Sequence, residues 1–202
     1  MRTILHLNSS IFGVAGQSSA LADAFVAQFP AARVISRDLS TQVLPHLDAA
    51  RFAAFLSRPE SRTPAQQAVL DESDALIAEL QAADTIVIGL PMYNFGIPSQ
   101  LKAYFDHVAR AGVTFRYTDK GAVGLLTGKK AYVFTARGGI YQGTPKDTQT
   151  PYVRDFLAFL GITDVEFVHA EGLAIGDAHK QASLAQARRA LRDLAQPERI
   201  AA

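Results

Sequence analysis

The segment 91–98, with the sequence PMYNFGIP, constrains the fold of this chain more than any other stretch. It follows the apolar run 84–90, DTIVIGL, whose β-branched residues predict a strand buried on both faces, as in parallel sheets. It precedes the segment 99–108, whose apolar residues at positions 101, 104, 105 and 108 have helical spacing. The loop therefore joins the carboxyl end of a strand to the amino end of a helix, the edge at which open α/β sheets bind ligands.

The residues of this loop suit a flat ligand that forms hydrogen bonds. Pro91 and Pro98 stiffen its two ends and remove two backbone donors, while the remaining N–H groups can face a ligand. Met92, Tyr93 and Phe95 offer apolar surface, so a flavin ring system fits this description. An ordinary loop with its aromatic side chains in the core explains the same residues equally well.

The composition favours one soluble domain with a large core. The chain has 202 residues, of which 49% are hydrophobic and 19% charged, so we expect a single folded domain over residues 1–202. A net charge of +1 argues against a nucleic-acid partner, because such binding depends on neutralising phosphates. The absence of cysteine excludes disulfides and cysteine metal sites and suits a reducing compartment. With no signal peptide and no apolar run of roughly 20 residues, we expect a cytoplasmic protein without membrane contact.

Strand-like and helix-like segments alternate along the whole chain. The predicted strands are 3–7, 32–37, 84–90, 130–135 and 165–169, and the predicted helices are 21–29, 49–56, 64–83, 98–110, 151–160 and 177–195. This alternation predicts an α/β fold, a flavodoxin-like three-layer sandwich around a five-stranded parallel sheet of order 2-1-3-4-5. The segment 111–126 interrupts the pattern and is predicted to form a hairpin-like insert.

Two further loops lie at the same edge of this predicted sheet. The segment 8–19, NSSIFGVAGQSS, can bind phosphate, because a helix amino terminus presents unpaired N–H groups and serine hydroxyls add donors. It matches neither the Walker nor the dinucleotide fingerprint, and capping of the helix by Ser18 or Ser19 is the alternative. The segment 136–139, ARGG, contains two glycines that allow the backbone to approach a ligand closely. The convergence of three such loops favours a ligand site.

These motifs together resemble the FMN-dependent NADH azoreductases, which are also described as NADH:quinone oxidoreductases. The resemblance also includes the segments LKAYFD (101–106), ARAGVTFRY (109–117), TGKK (127–130) and TPY (150–152), and it covers nearly the whole chain. It implies a homodimer with one tightly bound FMN per subunit. NADH would be the electron donor, and quinones or azo compounds, the latter cleaved to aromatic amines, would be the acceptors.

The resemblance also implies roles for individual residues. The FMN phosphate would be held by Ser10, Gly16, Gln17 and Ser18, and the ring system by Pro91, Met92, Tyr93, Asn94, Phe95, Ala136, Arg137, Gly138 and Gly139. Tyr117 in the insert, and Phe159 from the neighbouring subunit, would wall the substrate pocket. Gly16 and Ala136 stand where serine is frequent in the family, so we expect weaker or rearranged contacts there.

The flavin would carry the chemistry, so we predict neither a catalytic side chain nor a metal. Arg137 is expected to favour the negatively charged reduced flavin, although an ion pair would explain it too. One pocket between the loop 91–98 and the insert predicts ping-pong kinetics, with NADH and the acceptor binding in turn. The homodimer is also expected from a single exposed apolar patch formed by Phe115, Tyr117, Leu125, Leu126 and Phe159.

Two other classes of function remain open at this point. One is an electron carrier of the flavodoxin type, against which the net charge and the insert argue. The other is a regulatory module that binds flavin or quinone and signals through a partner. Turnover of NADH by the purified protein would distinguish an enzyme from both.

Overall fold

The structure is a computed structural model that describes the backbone of residues 1–200 and the side chains of residues 1–196. The strands are β1 (Thr3–Asn8), β2 (Arg33–Asp38), β3 (Thr85–Pro91), β4 (Phe115–Thr118), β5 (Gly121–Gly124), β6 (Lys130–Ala136) and β7 (Asp164–Ala170). The helices are α1 (Gln17–Val26), α2 (Ala49–Phe55), α3 (Pro64–Ala82), α4 (Ser99–Val108), α5 (Gln149–Leu160) and α6 (Asp177–Ile200).

Five of the strands form one parallel sheet in the order β2-β1-β3-β6-β7. Because β4 and β5 belong to the insert, this is the predicted order 2-1-3-4-5, and the flavodoxin-like α/β fold is confirmed. In this topology the carboxyl ends of β1, β3 and β6 lie side by side. The loops that follow these strands are therefore neighbours at one edge of the sheet.

Two apolar layers hold the helices against the sheet, because successive side chains of a strand point to opposite faces. All seven residues of the central strand β3 are buried. Ile86 and Ile88 pack in the layer that contains α3, α4 and α5, whereas Val87 packs in the layer that contains α1 and α6. The continuous apolar run 84–90 is thus explained by a strand that is covered on both sides.

The start of α3 and the end of α5 follow the signals in the sequence. Thr63 and Gln66 form a capping box at the start of α3, with Pro64 in the first turn. Gly161 ends α5 with a φ of 101°, a conformation that glycine adopts without steric cost. Helix α1 differs from its prediction, since it begins at Gln17, and no serine side chain caps it.

The insert is the hairpin that the sequence predicted, formed by the antiparallel strands β4 and β5. The Leu126 N–H donates to the Leu160 carbonyl oxygen over 2.8 Å, so the hairpin is attached to the last turn of α5. No helix within the described residues combines the length and the apolar character that crossing a membrane requires. The single domain over 1–202 stays a prediction, and its last two residues lie outside the described part of the chain.

Candidate functional site

The loop after β3 is built around a tight turn at residues 93–96. Tyr93 and Gly96 exchange two backbone hydrogen bonds, of 3.2 and 2.9 Å. The two residues between them, Asn94 and Phe95, have positive φ values of 49° and 62°, as in a type I′ turn. Asparagine tolerates this conformation, whereas for phenylalanine it costs about 1–3 kcal/mol. Such strain persists only where surrounding contacts impose it.

The start of α5 provides those contacts. The Gln149 side-chain amide donates to the carbonyl oxygens of Pro91 and Gly96, over 2.8 and 2.9 Å. The Thr148 hydroxyl donates to the Phe95 carbonyl oxygen. Three carbonyl groups of the loop are therefore fixed from one helix end.

The turn is also joined to the loop after β1. The Tyr93 hydroxyl lies 3.3 Å from the Ser10 hydroxyl and accepts the Ile11 N–H over 3.2 Å. The Ser10 hydroxyl also accepts the Phe12 N–H over 3.2 Å. Ser10 is buried, so its position depends on both loops.

The amino terminus of α1 has the properties of a phosphate site. The first N–H groups of an α-helix have no partner within the helix, and they carry a partial positive charge. The hydroxyls of Ser18 and Ser19 are fully buried and have no hydrogen-bond partner among the described residues. Neither serine caps the helix, so the capping alternative is wrong. An unpartnered buried hydroxyl beside a helix amino terminus fits a phosphate group.

Gly16 is explained by its neighbour. A Cβ atom at Gly16 would overlap the side chain of Ser10, including its Cβ at 2.6 Å. A serine at this position would therefore require Ser10 to move, so the departure from the family pattern is linked to how Ser10 is packed.

The loop after β6 supplies further backbone donors. The Ala136 carbonyl accepts the Met92 N–H over 3.1 Å, which holds the two loops together. The N–H groups of Asn94, Phe95, Gly138 and Gly139 donate to no other described residue. These four groups, on two adjacent loops, can hydrogen-bond a flat polar ligand such as the flavin ring. The residues present thus fit FMN at both its phosphate and its ring.

Arg137 does not present its charge to this edge. Its guanidinium is buried and forms ion pairs of 2.9 Å with both Asp147 and Glu171. It also donates to the Gln149 side-chain oxygen over 3.2 Å and to the Thr150 hydroxyl over 3.0 Å. The expectation that its charge favours the reduced flavin is wrong, because two carboxylates already neutralise it. The Arg137 N–H donates to the Ala170 carbonyl oxygen over 2.9 Å, and a contact of Arg137 with the flavin ring stays a prediction.

This buried cluster changes the titration of its neighbours. Burial alone would raise the pKa of Asp147, but hydrogen bonds from Arg137 and Thr150 outweigh it and hold the pKa below its usual value. Burial, helped by the positive charge of Arg137, lowers the pKa of His169. The half-buried imidazole of His169 is hydrogen-bonded to the Thr135 hydroxyl over 3.0 Å, which joins the side chains of β6 and β7.

An open groove lies beside the turn. It has a volume of about 570 Å³ and is lined by His46, Phe95, Gly96, Ile97, Ser99, Lys102, Thr148 and Tyr152. This volume falls in the range of small-molecule sites, and its wall is mostly apolar with a few polar groups. A depression of similar size, about 530 Å³, surrounds Phe29 and Pro30 near the amino end of β1, away from all three loops.

The two residues predicted to wall the substrate pocket are not near these loops in the same chain. The Phe115 ring lies 4.3 Å from that of Phe159 and 5.4 Å from that of Tyr117, so the three form one cluster. Gln149 contacts the turn, and Phe159 follows ten residues later on the same helix, about 15 Å along its axis. The expectation of one pocket between the loop 91–98 and the insert is therefore wrong within a single chain. The contribution of Phe159 from a neighbouring subunit stays a prediction, and so does the place of Tyr117 in the wall of the substrate pocket.

The predicted apolar patch is also smaller than expected. Phe115 and Leu126 are only 6% and 3% exposed, because they pack in the core beneath the hairpin. Tyr117 and Leu125 are exposed, at 75% and 39%. The sequence showed that this segment is apolar but not which of its residues the hairpin covers.

Sequence reasoning missed two parts of this site. Gln149 precedes the predicted start of its helix, and nothing in its local sequence signals that it is buried. The positive φ of Phe95 also has no local signal, since phenylalanine is unfavourable there. For Asn94, a turn-forming residue followed closely by glycine was a usable signal.

Comparison with known proteins identifies the family. The family model described as having a flavodoxin-like fold matches residues 2–195. The FMN-dependent NADH:quinone oxidoreductase 6 of Burkholderia lata is 56% identical over 195 residues, 95% of this chain and 98% of the relative. The FMN-dependent NADH:quinone oxidoreductase of Alcanivorax borkumensis is 59% identical over 189 residues, 92% of this chain and 96% of the relative.

The chain belongs to the family of the FMN-dependent NADH:quinone oxidoreductases. A solved structure of an FMN-dependent NADH-azoreductase from Bacillus anthracis, in complex with FMN, matches it with a TM-score of 0.84 and 28% identity. That match covers 97% of this chain and all of the azoreductase chain. The resemblance to this family, which the sequence motifs indicated, is therefore confirmed.

Proposed function

We propose that this protein is an FMN-dependent oxidoreductase that transfers electrons from NADH to quinones and to azo compounds, which it cleaves to aromatic amines. Relatives with more than half of their residues identical, over nearly the whole chain, carry the NADH:quinone oxidoreductase name. The observation that carries the proposal is the strained turn at Asn94 and Phe95, whose unpaired N–H groups lie at the same edge as the α1 amino terminus.

The binding roles can be assigned to groups of this chain. The first turn of α1, with Gly16, Gln17 and the Ser18 hydroxyl, would hold the FMN phosphate beside Ser10. The loop from Pro91 to Phe95 and the segment 136–139 would hold the ring, mainly through backbone N–H groups. Bound FMN would supply the two-electron chemistry between donor and acceptor. The side chains present are suited to binding and orientation.

The proposed enzyme is a homodimer. Its apolar cluster around Tyr117 and Phe159 lies far from the loops 91–98 and 136–139 of its own chain. A second copy, related by a two-fold axis, would bring that cluster to the open groove beside Phe95. The largely exposed Tyr117 side chain supports this arrangement. A cytoplasmic location remains part of the proposal, because a chain with no cysteine suits a reducing compartment.

The proposal is tested by the visible spectrum of the FMN-loaded protein in the absence of oxygen. NADH is expected to bleach the flavin band, and a quinone added next is expected to restore it. Steady-state double-reciprocal plots should be parallel, since both substrates would use the same face of the ring in turn. If the protein were an electron carrier, NADH alone would not bleach its flavin band. If it were a regulatory module, it would not oxidise NADH in the presence of a quinone. Either of these results would contradict the proposal.

A further inference from the structure

We infer that Gln149 is a positioning residue that holds the turn at Asn94 and Phe95 in the shape required for the flavin ring. This inference rests on the proposed function. It concerns a side chain for which the sequence pattern gave no role, and it deepens the account of how the ring is bound.

The partners of Gln149 fix the orientation of its amide. The carbonyl oxygens of Pro91 and Gly96 can only accept hydrogen bonds, so the NH₂ group must face them, at 2.8 and 2.9 Å. The guanidinium of Arg137 can only donate, so the amide oxygen must face it, at 3.2 Å. The side chain is fully buried, and both of its N–H groups are used within the loop. A carboxylate of the same shape could keep only the contact with Arg137.

Arg137 connects this contact to the neighbouring loop. Its ion-pair partner Glu171 accepts the N–H groups of Tyr141 and Gln142 over 3.1 and 3.0 Å. The Tyr141 ring in turn lies against that of Phe95, with 5.7 Å between the centroids. One network, centred on the buried side chains of Arg137 and Gln149, therefore contacts the loop after β3 and the segment that follows β6.

The positive φ values give Gln149 a specific role. The turn is held against the conformational preference of Phe95, so it should relax when the contacts that oppose this preference are removed. Relaxation would change the directions in which the N–H groups of Asn94 and Phe95 point. The fold would remain, because the strand β3 and the helix α5 are each anchored in the apolar core.

The test compares Gln149→Glu and Gln149→Met with the wild type and with Gln186→Glu, the same exchange at an exposed position of α6. The protein is freed of flavin and its folding is checked by circular dichroism. FMN dissociation constants are then measured by quenching of flavin fluorescence, and the visible spectrum of bound FMN is recorded. We expect both Gln149 variants to weaken FMN binding about tenfold or more and to shift the visible band. Gln186→Glu should match the wild type in both measurements.

The other outcomes would overturn the inference. Dissociation constants within about twofold of the wild type, with an unchanged spectrum, would mean that Gln149 only stabilises the fold. Loss of folding in both Gln149→Glu and Gln149→Met would also overturn it, because a residue on which the whole fold depends does not act on one turn. Failure of the wild type itself to bind FMN would contradict the proposed function and, with it, this inference.

Discussion

Two consecutive residues with positive φ, Asn94 and Phe95, determine how this protein can present its backbone to a ligand. Neither is glycine, so the turn must be held by its surroundings. The contacts that hold it come from Tyr93 and Gly96 within the turn, from Thr148 just before α5 and from Gln149 at the start of α5. The strain therefore lies in the same loop that is proposed to bind the flavin ring.

The conformation of Asn94 gives a prediction about stability. Asn94→Ala should lower the free energy of unfolding by about 1 kcal/mol, because alanine adopts positive φ less readily than asparagine. Asn94→Gly should remain within about 0.5 kcal/mol of the wild type, since glycine adopts it at little steric cost. Urea denaturation of the FMN-free proteins measures both values. Equal losses for the two variants would mean that the amide group, and not the backbone angle, is what matters at this position.

For single residues, the sequence predicted where the loops begin and end better than it predicted which partners the individual side chains contact. Pro91 and Pro98 marked both ends of the loop correctly, since each ends or begins an element. The role of Arg137 could not be settled, because its partner Glu171 lies 34 residues further along the chain. Only the pairing of β6 with β7 brings the two together.

At the scale of elements, the hairpin β4–β5 depends on a close backbone contact with the end of α5. A Cβ atom at Gly124 would overlap the backbone of Leu160 and Gly161, which cannot move as a flexible side chain could. The sequence predicted the hairpin and the stop of α5 at Gly161 separately. It could not predict that the two glycines meet, because their contact depends on how the helix packs.

This contact predicts a large effect of one added methyl group. Gly124→Ala should lower the free energy of unfolding by about 2 kcal/mol or more, because the hairpin must move away from α5. Ala122→Ser, an exposed substitution in the same strand, should stay within about 0.5 kcal/mol of the wild type. Thermal and urea unfolding of the two variants measure this difference. A tolerated Gly124→Ala would show that the hairpin is not seated on the helix as described.

At the scale of the whole molecule, the sheet order does most to assemble the site. The order β2-β1-β3-β6-β7 places the ends of β1, β3 and β6 next to one another, so three loops from distant parts of the sequence meet. The alternation of strands and helices was enough to predict this order. It was not enough to show that the insert lies at the far end of α4 and α5 from the loop 91–98.

That separation makes the oligomeric state testable. We expect sedimentation equilibrium to give the mass of a dimer at micromolar concentration, because the aromatic cluster around Phe115 lies far from the loops 91–98 and 136–139 of its own chain. Tyr117→Ala, which removes the most exposed member of the cluster, should raise the Michaelis constants for the acceptor more than it changes FMN affinity. A monomer with full activity would contradict the proposal that residues of two copies form the substrate site.

The carboxyl edge of the sheet is proposed to bind FMN, with the phosphate at the amino terminus of α1. Titration calorimetry of the flavin-free protein with FMN and with riboflavin, which lacks the phosphate, tests this most directly. We expect FMN to bind at least about a hundredfold more tightly than riboflavin, because several N–H groups and the Ser18 hydroxyl would have no anion to bind when riboflavin is the ligand. Equal affinity for the two flavins would contradict it, because the phosphate site would then contribute nothing.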